Sequence, residues 1–240
     1  MNSIVYISFI RFPAEKAHSL YVAKVAEAFA KLGYETSVWV PRRFGKVNES
    51  PYSYYGVKKS FSVKYLFCID LLPLQFGKAL WHKLGVLSFS LNVFFRLLFR
   101  REQAIIFTND VFIFLLLSCT KYCNLLELHD YPKQNSWLYK KTFSRTHKIL
   151  TNNLQKAKRL KADFSVPNKK IIAVHNGVDV EEFDIDLSKK EARKRVSFEL
   201  DKKYALYTGH LYDWKGVTVL AAAAKLTPEI EFVFVGGTNE

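Results

Sequence analysis

The sequence predicts an α/β protein in which a doubly wound parallel sheet is followed by the beginning of a second unit of the same kind. Short apolar segments alternate with segments of helical periodicity, a pattern typical of parallel strands joined by helices. A charged helical segment interrupts this alternation between residues 177 and 200, after which a strand-helix-strand pattern starts again. With 240 residues, 49% of them hydrophobic, the chain can bury a substantial core.

The first strand-helix-strand unit occupies the first 41 residues. The apolar segments "IVYISFI" (4–10) and "YETSVWVP" (34–41) predict strands, and "HSLYVAKVAEAFAKLG" (18–33) predicts a helix between them that Gly33 ends. The apolar stripe predicted for the buried face of that helix consists of Val22, Val25, Phe29 and Leu32.

The alternation then continues along the chain after a turn-rich region, residues 41–63. The predicted strands are 104–110, 124–130, 148–152 and 170–176, and the predicted helices are 111–122, 136–147 and 153–164. A charged helix is predicted over 187–200, followed by strand 204–211, helix 216–226 and strand 229–237.

These patterns place a domain boundary between residues 177 and 200. We expect an N-terminal domain over residues 1–180, and a linker with an incomplete C-terminal domain over residues 181–240. A doubly wound domain has about six strands. The second region shows only two, so it looks unfinished.

The charge balance indicates an anionic partner. Lys and Arg number 36 against 22 Asp and Glu, which gives a formal charge of +14. Nucleic acid, acidic lipid and phosphorylated metabolites all fit that charge. The three cysteines are an odd number without a preceding secretory signal, which favours a reducing cytoplasm.

Residues 78–101 form a basic and aromatic segment with twelve uncharged residues between Lys83 and Arg96. The segment is too short to span a bilayer, which needs about 20 apolar residues. Its apolar residues occupy most of the helix circumference, as in a buried helix. The alternative is a helix lying on an anionic membrane, and both hold if one end protrudes.

Several classes of enzyme lack their motifs in this sequence. The first loop, "RFPAEKAHS", contains no glycine, which argues against a nicotinamide or flavin fingerprint. The sequence has neither the glycine-rich Lys-Ser/Thr loop of nucleoside triphosphatases nor a Gly-x-Ser-x-Gly elbow. Cys119 and Cys123 have helical spacing, but no second Cys or His pair completes a metal site.

Three polar residues are candidates for the carboxyl-terminal edge of the sheet, where open α/β sheets bind ligands. His129 directly follows the strand segment "NLLEL" and is either a ligand contact or a strand-end histidine bonded to a loop. His18 and Asp110 are either helix caps or contacts to a ligand in the same crevice.

The segment "YTGHLYDWKG" (207–216) carries the features of a phosphate site. A strand ends at Gly209, and Lys215 lies before the helical segment "VTVLAAAAKL". A turn from strand to helix exposes backbone N–H groups, and a neighbouring lysine adds a full positive charge.

Together these segments resemble the retaining glycosyltransferases of the GT-B fold, which has two Rossmann-like domains. The likeness is greatest to the bacterial family 4-like group, which includes sugar transferases of cell-surface polysaccharide synthesis. "HNGVDVEEFD" (175–184) resembles the interdomain signature, "YTGHLYDWKGVTVLAAAAKL" (207–226) the opening of the donor domain, and "LLELHDYP" (125–132) the active-site histidine segment. Residues 18–41 resemble the first strand-helix-strand unit of the family. The resemblance implies that residues 1–180 are the acceptor-side domain, and that residues 181–240 are a linker and an incomplete donor-binding domain.

The resemblance implies sugar transfer from a nucleotide-sugar with retained anomeric configuration, without an essential metal or a cofactor, since the nucleotide-sugar is a substrate. His129 is then the catalytic residue and bonds the donor sugar, whereas Lys215 and the backbone at Gly209 contact the donor diphosphate. His210 stands where the family usually has arginine, so donor binding should be weaker or more sensitive to pH. His18 and Asp110 remain acceptor-side candidates.

The resemblance also predicts that the acceptor is a saccharide or a lipid-linked acceptor. The cysteines favour a location in the cytoplasm, and the basic charge together with residues 78–101 favours peripheral attachment at the inner face of the plasma membrane. The family's acidic donor motif lies beyond the second strand of its C-terminal domain. We therefore expect the chain to be a fragment or a truncated gene product that is inactive alone.

The alternative is a non-catalytic basic protein that binds nucleic acid or an anionic membrane surface. Its lysines are spread over many segments without a nucleic-acid recognition motif, so no nucleic-acid partner is expected.

Overall fold

A computed structural model describes residues 3–45, 47–70, 78–132 and 137–237. The chain divides into two compact units, Met1–Asn176 and Gly177–Glu240. Their assignment to an acceptor-side domain and a donor-binding domain stays a prediction.

Within the described residues, the first unit contains a seven-stranded sheet whose neighbouring strands are all parallel. The strands are β1 (Ser3–Ile7), β2 (Glu35–Pro41), β3 (Ser62–Leu66), β4 (Ile105–Thr108), β5 (Cys123–Leu128), β6 (Lys148–Thr151) and β7 (Ile171–Ala173). Their order is β3-β2-β1-β4-β5-β6-β7, so the chain moves outward from β1 in one direction and then returns to build the other half. The predicted doubly wound parallel sheet is confirmed.

Helices connect these strands. They are α1 (Ala17–Lys31), α2 (Pro51–Tyr55), α3 (Lys78–Leu98), α4 (Val111–Leu117), α5 (Trp137–Arg145) and α6 (Leu154–Phe164). The turn-rich region 41–63 contains α2 and the first residues of β3. Ser50 caps α2 by accepting a hydrogen bond from the Ser53 N–H, and Gly56 ends it in the left-handed conformation.

The sheet is apolar on both faces because helices cover both of them. Side chains alternate along a strand, and β1 shows the consequence. Ile4 and Tyr6 pack with α1 and α2, whereas Val5 and Ile7 pack with α3 and α4. A further apolar cluster joins β5 and β6 to α5 and α6.

The predicted buried stripe of α1 is partly wrong. Val22 is fully buried, but Leu32 is 73% exposed because the helix has already ended at Lys31. Glu27 is buried in the neighbouring turn, where its carboxylate accepts a hydrogen bond from the Lys58 N–H at 2.7 Å. The bond to a backbone donor allows a charged residue to occupy a core-facing position.

Helix α3 packs against the core along one face only. Phe89, Val93 and Leu97 are fully buried against the sheet. The opposite face leaves Leu80, Leu87, Leu91, Phe95 and Leu98 exposed, followed by Phe99, which is 78% exposed. Among the described residues, no helix is long and apolar enough to cross a bilayer.

The second unit is smaller. It contains α7 (Val180–Phe183), α8 (Lys189–Arg195), β8 (Lys203–Thr208), α9 (Val217–Ala224) and β9 (Ile230–Val235). Strands β8 and β9 are parallel, as a strand-helix-strand unit requires. A capping box between Ser188 and Glu191 starts α8.

Candidate functional site

A crevice of about 1130 Å³ lies at the carboxyl ends of β1, β4 and β5 in the first unit. Ser8, Asn109 and His129 follow these three strands and line it. Strand β1 is the point from which the two halves of the sheet were built in opposite directions, and doubly wound sheets bind ligands at such a point. His18, His129 and Asp110, which the sequence places at this edge, all line the crevice.

The His129 side chain contacts a buried carboxylate. Its Nε2 atom lies 3.1 Å from Oε2 of Glu127, two residues earlier on the same face of the chain. Nε2 makes no hydrogen bond within the described residues, so its contact with the carboxylate is electrostatic. The side chain is 23% exposed, which leaves part of the ring accessible from the crevice.

Two tyrosines hold the carboxylate from the other side. The Tyr6 hydroxyl donates to Oε2 of Glu127 at 3.2 Å, and the Tyr21 hydroxyl donates to Oε1. Burial, together with the negative charge of Glu127, raises the pKa of both tyrosines. Both phenols therefore stay protonated and act as donors at neutral pH.

His18 lies at the start of α1 with its ring 5.0 Å from that of His129, edge to face. Its Nε2 contacts the Asn109 amide, whose oxygen accepts a hydrogen bond from the Ser8 hydroxyl at 2.9 Å. Burial lowers the pKa of His18, and the neighbouring His129 lowers it further. In the structure His18 caps no helix, because α1 begins after Lys16 without a side-chain cap.

Asp110 is the N-cap of α4. Its Oδ1 accepts hydrogen bonds from the N–H groups of Phe112 and Ile113 at 2.9 and 3.0 Å. Burial raises its pKa, and these two bonds oppose that shift. The cap interpretation is confirmed, whereas a ligand contact from the same residue stays a prediction.

In the second unit, Gly209 and His210 follow β8. Gly209 has φ of 139° and its N–H donates to the carbonyl of Val235 at 2.9 Å. A Cβ atom on Gly236 would lie 2.1 Å from the Gly209 carbonyl oxygen. Glycine at 236 therefore allows the two loops that follow β8 and β9 to approach, and both loops leave the sheet at the ligand-binding edge.

Lys215 lies at the end of a short 3-10 turn just before α9. Its ammonium group lies 4.3 Å from the centre of the Trp214 ring, and both residues are exposed. The ring of Trp214 stacks on Tyr212, and Tyr212 stacks on His210, with ring centres 5.9 and 5.1 Å apart. The structure therefore joins Lys215 and His210 through a row of exposed aromatic rings.

The described residues include no group of three or more His, Cys, Asp or Glu that could hold a metal ion. The helical spacing of Cys119 and Cys123 is not a shared helix face, because α4 ends at Leu117 and Cys123 begins β5. Cys119 is exposed rather than packed among apolar residues.

Sequence reasoning missed Glu127, Tyr6 and Tyr21. One signal for Glu127 was available, since a single acidic residue inside the apolar segment "NLLEL" shares a face with His129. No comparable signal marks the tyrosines, which lie 121 and 106 residues from Glu127 along the chain.

Comparisons with known proteins agree with this architecture. A family model described as Glycosyltransferase Family 4 matches residues 19–182. No curated protein matches the chain.

Among solved structures, the chain is similar to sucrose-phosphate synthase from Thermosynechococcus elongatus, with a TM-score of 0.72 and 16% identity over 100% of this chain and 63% of that one. It is similar to HepE of Anabaena, solved with UDP, with a TM-score of 0.64 and 13% identity over 98% and 61% of the two chains. UGT71G1 of Medicago truncatula, solved with UDP-glucose, gives a TM-score of 0.58 and 12% identity over 100% and 67%.

At these identities the likeness shows the fold alone, and that fold is GT-B. The chain spans less than two thirds of the length of the first two of these proteins.

Proposed function

The chain belongs to glycosyltransferase family 4, and from this premise we propose that it serves to transfer a sugar from a nucleotide-sugar donor to a saccharide or lipid-linked acceptor. The observation that carries the proposal is the histidine-lined crevice at the point where the strand order reverses. The family model matches residues 19–182, which include β4, β5 and the His129 wall of the crevice, whereas β1 and His18 precede the matched range. In this proposal transfer proceeds with retained anomeric configuration, as the family resemblance implies.

His129 is the proposed catalytic contact to the donor sugar. It is partly exposed in the crevice, and the wall around it combines polar groups with the apolar side chains of α3 and α4. Such a wall excludes water while a few polar groups fix the orientation of a sugar. His18 and Asn109, beside it, can offer further hydrogen bonds on the acceptor side.

The donor diphosphate is proposed to bind at the second unit. Lys215 supplies a full positive charge beside the first turn of α9, whose N-cap, Gly216, has no side chain to occupy the free N–H groups. HepE and UGT71G1 were solved with UDP and UDP-glucose, which makes UDP the suitable probe.

To test transfer, the protein is purified from the cells that naturally produce it and is incubated with a panel of nucleotide-sugars. Release of nucleoside diphosphate is measured. We expect release that His129→Ala abolishes and that Lys158→Ala, at an exposed lysine of the same unit, leaves unchanged. Product anomers are read from proton coupling constants. Strong, salt-sensitive binding of DNA or RNA without donor turnover would overturn the proposal.

The 240-residue chain alone is proposed to bind nucleotide weakly and to transfer no sugar, since positioning of both substrates is what a transfer reaction depends on most. We expect Lys215→Ala to weaken UDP binding by about tenfold. Lys225→Ala, at an exposed lysine just after α9, serves as the control. Robust transfer by this chain, lost on Lys215→Ala, would contradict the proposed inactivity.

An anionic membrane is the proposed surface on which the acceptor is met. The exposed face of α3 ends in Phe95, Leu98 and Phe99, beside a groove of about 760 Å³ that is also lined by Lys64, Arg96 and Arg101. Aromatic side chains next to cations suit the interface of an acidic bilayer, because the rings insert shallowly while the cations meet the headgroups.

Vesicle flotation tests this surface. We expect recovery with anionic vesicles to exceed recovery with neutral ones, and Phe95→Ser combined with Phe99→Ser to abolish the difference. Leu226→Ser, at a residue of the second unit that is 83% exposed, is the control. Equal recovery with anionic and neutral vesicles would contradict the electrostatic part of the proposal. If the protein instead forms a concentration-dependent dimer that the double variant loses, the exposed face of α3 binds a second copy of the chain rather than a membrane.

A further inference from the structure

Glu127 is a buried carboxylate for which neither the fold nor the proposed sugar contact accounts. It lies on β5 and is only 8% exposed. An ionised carboxylate in such a place costs several kcal/mol unless charged or polar partners compensate it. The residues that contact Glu127 therefore indicate its role.

Side chains from three elements surround the carboxylate, and among them His129 lines the crevice. Tyr6 approaches from β1, Tyr21 from α1, and His129 from the end of β5 itself. His18 and Asp130 are the further charged or titratable groups in this cluster. The phenols keep their protons, so they orient the carboxylate through hydrogen bonds and leave its negative charge directed at the imidazole ring.

The main chain of His129 is held as well. The Lys156 ammonium group, on α6, donates to the His129 carbonyl and to the Asn152 side-chain oxygen. The backbone of His129 is thereby fixed at its carbonyl, and the remaining freedom of the residue is the orientation and protonation of its ring. Glu127 acts on both, because a carboxylate accepts and never donates when ionised.

We propose that Glu127 is a positioning residue for His129, whose ring it holds with Nε2–H facing the carboxylate and Nδ1 carrying the lone pair. Within the part of the chain that the structure describes, Nε2 is buried and makes no hydrogen bond, and the carboxylate 3.1 Å away favours a proton on Nε2 by electrostatic attraction. A neutral imidazole donates from one nitrogen and accepts at the other. His129 then meets the donor sugar as an acceptor for a hydroxyl group.

This inference rests on the proposed function for its substrate, but its test needs no sugar. The 240-residue chain is labelled with ¹⁵N in its histidine rings, and long-range proton–nitrogen spectra are recorded above pH 8, where histidine side chains are ordinarily neutral. His129→Asn assigns the His129 signals. We expect the Nε2–H form to dominate in the wild-type protein.

Glu127→Gln is the test variant. Glutamine can present either its oxygen or its amide N–H to the ring, so both tautomers become accessible and the Nδ1–H form should rise from a minor share to at least an equal one. Glu127→Asp, which retains the charge, should preserve more of the Nε2–H form than glutamine does.

Glu27→Gln is the matched control, because Glu27 is a similarly buried acid of the same unit whose carboxylate accepts a hydrogen bond from the Lys58 N–H. It should lower the melting temperature without changing the tautomer of His129. An unchanged tautomer in Glu127→Gln, or the same change in both glutamine variants, would overturn the proposal. If Glu127→Gln fails to fold, Tyr21→Phe decides, since losing one orienting donor should raise the Nδ1–H share by a smaller amount.

Failure here and failure of the proposed function are distinguishable. Donor turnover that is lost in His129→Ala, with no tautomer preference, retains the enzyme and removes the role of Glu127. A strong preference for the Nε2–H tautomer without donor turnover would support the role of Glu127 and contradict the proposed transfer activity.

Discussion

The two units of the chain bury their side chains to very different extents. In the first unit, all but one of the described strands contribute at least one buried side chain, and three apolar clusters fill the space between the sheet and its helices. In the second unit, none of the described residues is buried. The same strand-helix-strand chemistry therefore gives a closed core in one case and an open layer in the other.

The difference follows from how many layers cover the sheet. A parallel strand is apolar on both faces and needs helices on both. Within the described residues of the second unit, α9 is the helix that joins β8 to β9. Leu206 and Val235 remain 59% and 53% exposed. The side chains that line the crevice of the first unit are therefore supported by a packed core, whereas Lys215 and its neighbours lie in a unit of which no described residue is buried.

The largest expected effect compares one phenylalanine from each unit. Phe114 is fully buried, and Phe114→Ala should lower the free energy of unfolding by about 4 kcal/mol, since it removes a large side chain and leaves a cavity. Phe234 is only partly buried, and Phe234→Ala should cost about 1 kcal/mol. Urea unfolding followed by tryptophan fluorescence and circular dichroism measures both. Equal losses would contradict the contrast between the units.

The contrast was readable in part from the sequence. Alternating apolar segments fixed the positions of β1, β2, β4 and β5, because strands buried on both faces need continuous apolar residues. Leu32 was misassigned because periodicity does not show where a helix ends. The position of His129 at a strand end was also readable. The carboxylate behind it was not, because the tyrosines that hold Glu127 come from distant parts of the chain.

The second prediction compares a buried with an exposed ion pair. Arg43 and Asp70 lie 3.2 Å apart with side-chain exposures of 8% and 6%. Asp70→Asn leaves the guanidinium buried without its counter-charge and should cost about 3 kcal/mol. Lys202 pairs with Glu199 and Glu231 on the surface of the second unit, so Lys202→Gln should leave stability unchanged.

Thermal melts of the two variants at low and at high salt measure this difference. A large, salt-dependent loss in Lys202→Gln would show that surface charge, rather than burial, stabilises the second unit.

The third prediction concerns the close approach of Gly236 to Gly209 in the second unit. Gly236→Ala places a Cβ atom 2.1 Å from the Gly209 carbonyl oxygen at a φ of 133°, so the loops after β8 and β9 must separate. We expect a loss of about 2–3 kcal/mol. Gly216→Ala, with φ of 74° and no atom within 4 Å, should cost about 1 kcal/mol from backbone strain alone. Hydrogen exchange of β8 and β9 compares the two, and equal protection would show that the loops do not depend on this approach.

The smallest expected effect is the sensitivity of the first unit to acid. Burial lowers the pKa of His18 from its ordinary value of 6.5. As the pH falls below that value, the unfolded chain binds a proton that the folded chain does not, so stability falls until the pH reaches the folded pKa. The loss amounts to about 1.4 kcal/mol for each unit of pKa difference.

The melting temperature of His18→Gln should therefore fall less steeply than that of the wild-type protein as the pH is lowered from 7.5 to 5.5. Replacing His129 by Asn removes an electrostatic interaction that lowers the pKa of His18 and should therefore raise that pKa, which proton NMR titration measures. If the melting temperature of His18→Gln depends on pH as steeply as that of the wild-type protein, water reaches the His18 ring in the folded state. The contrast in burial between the two units would then not extend to the crevice.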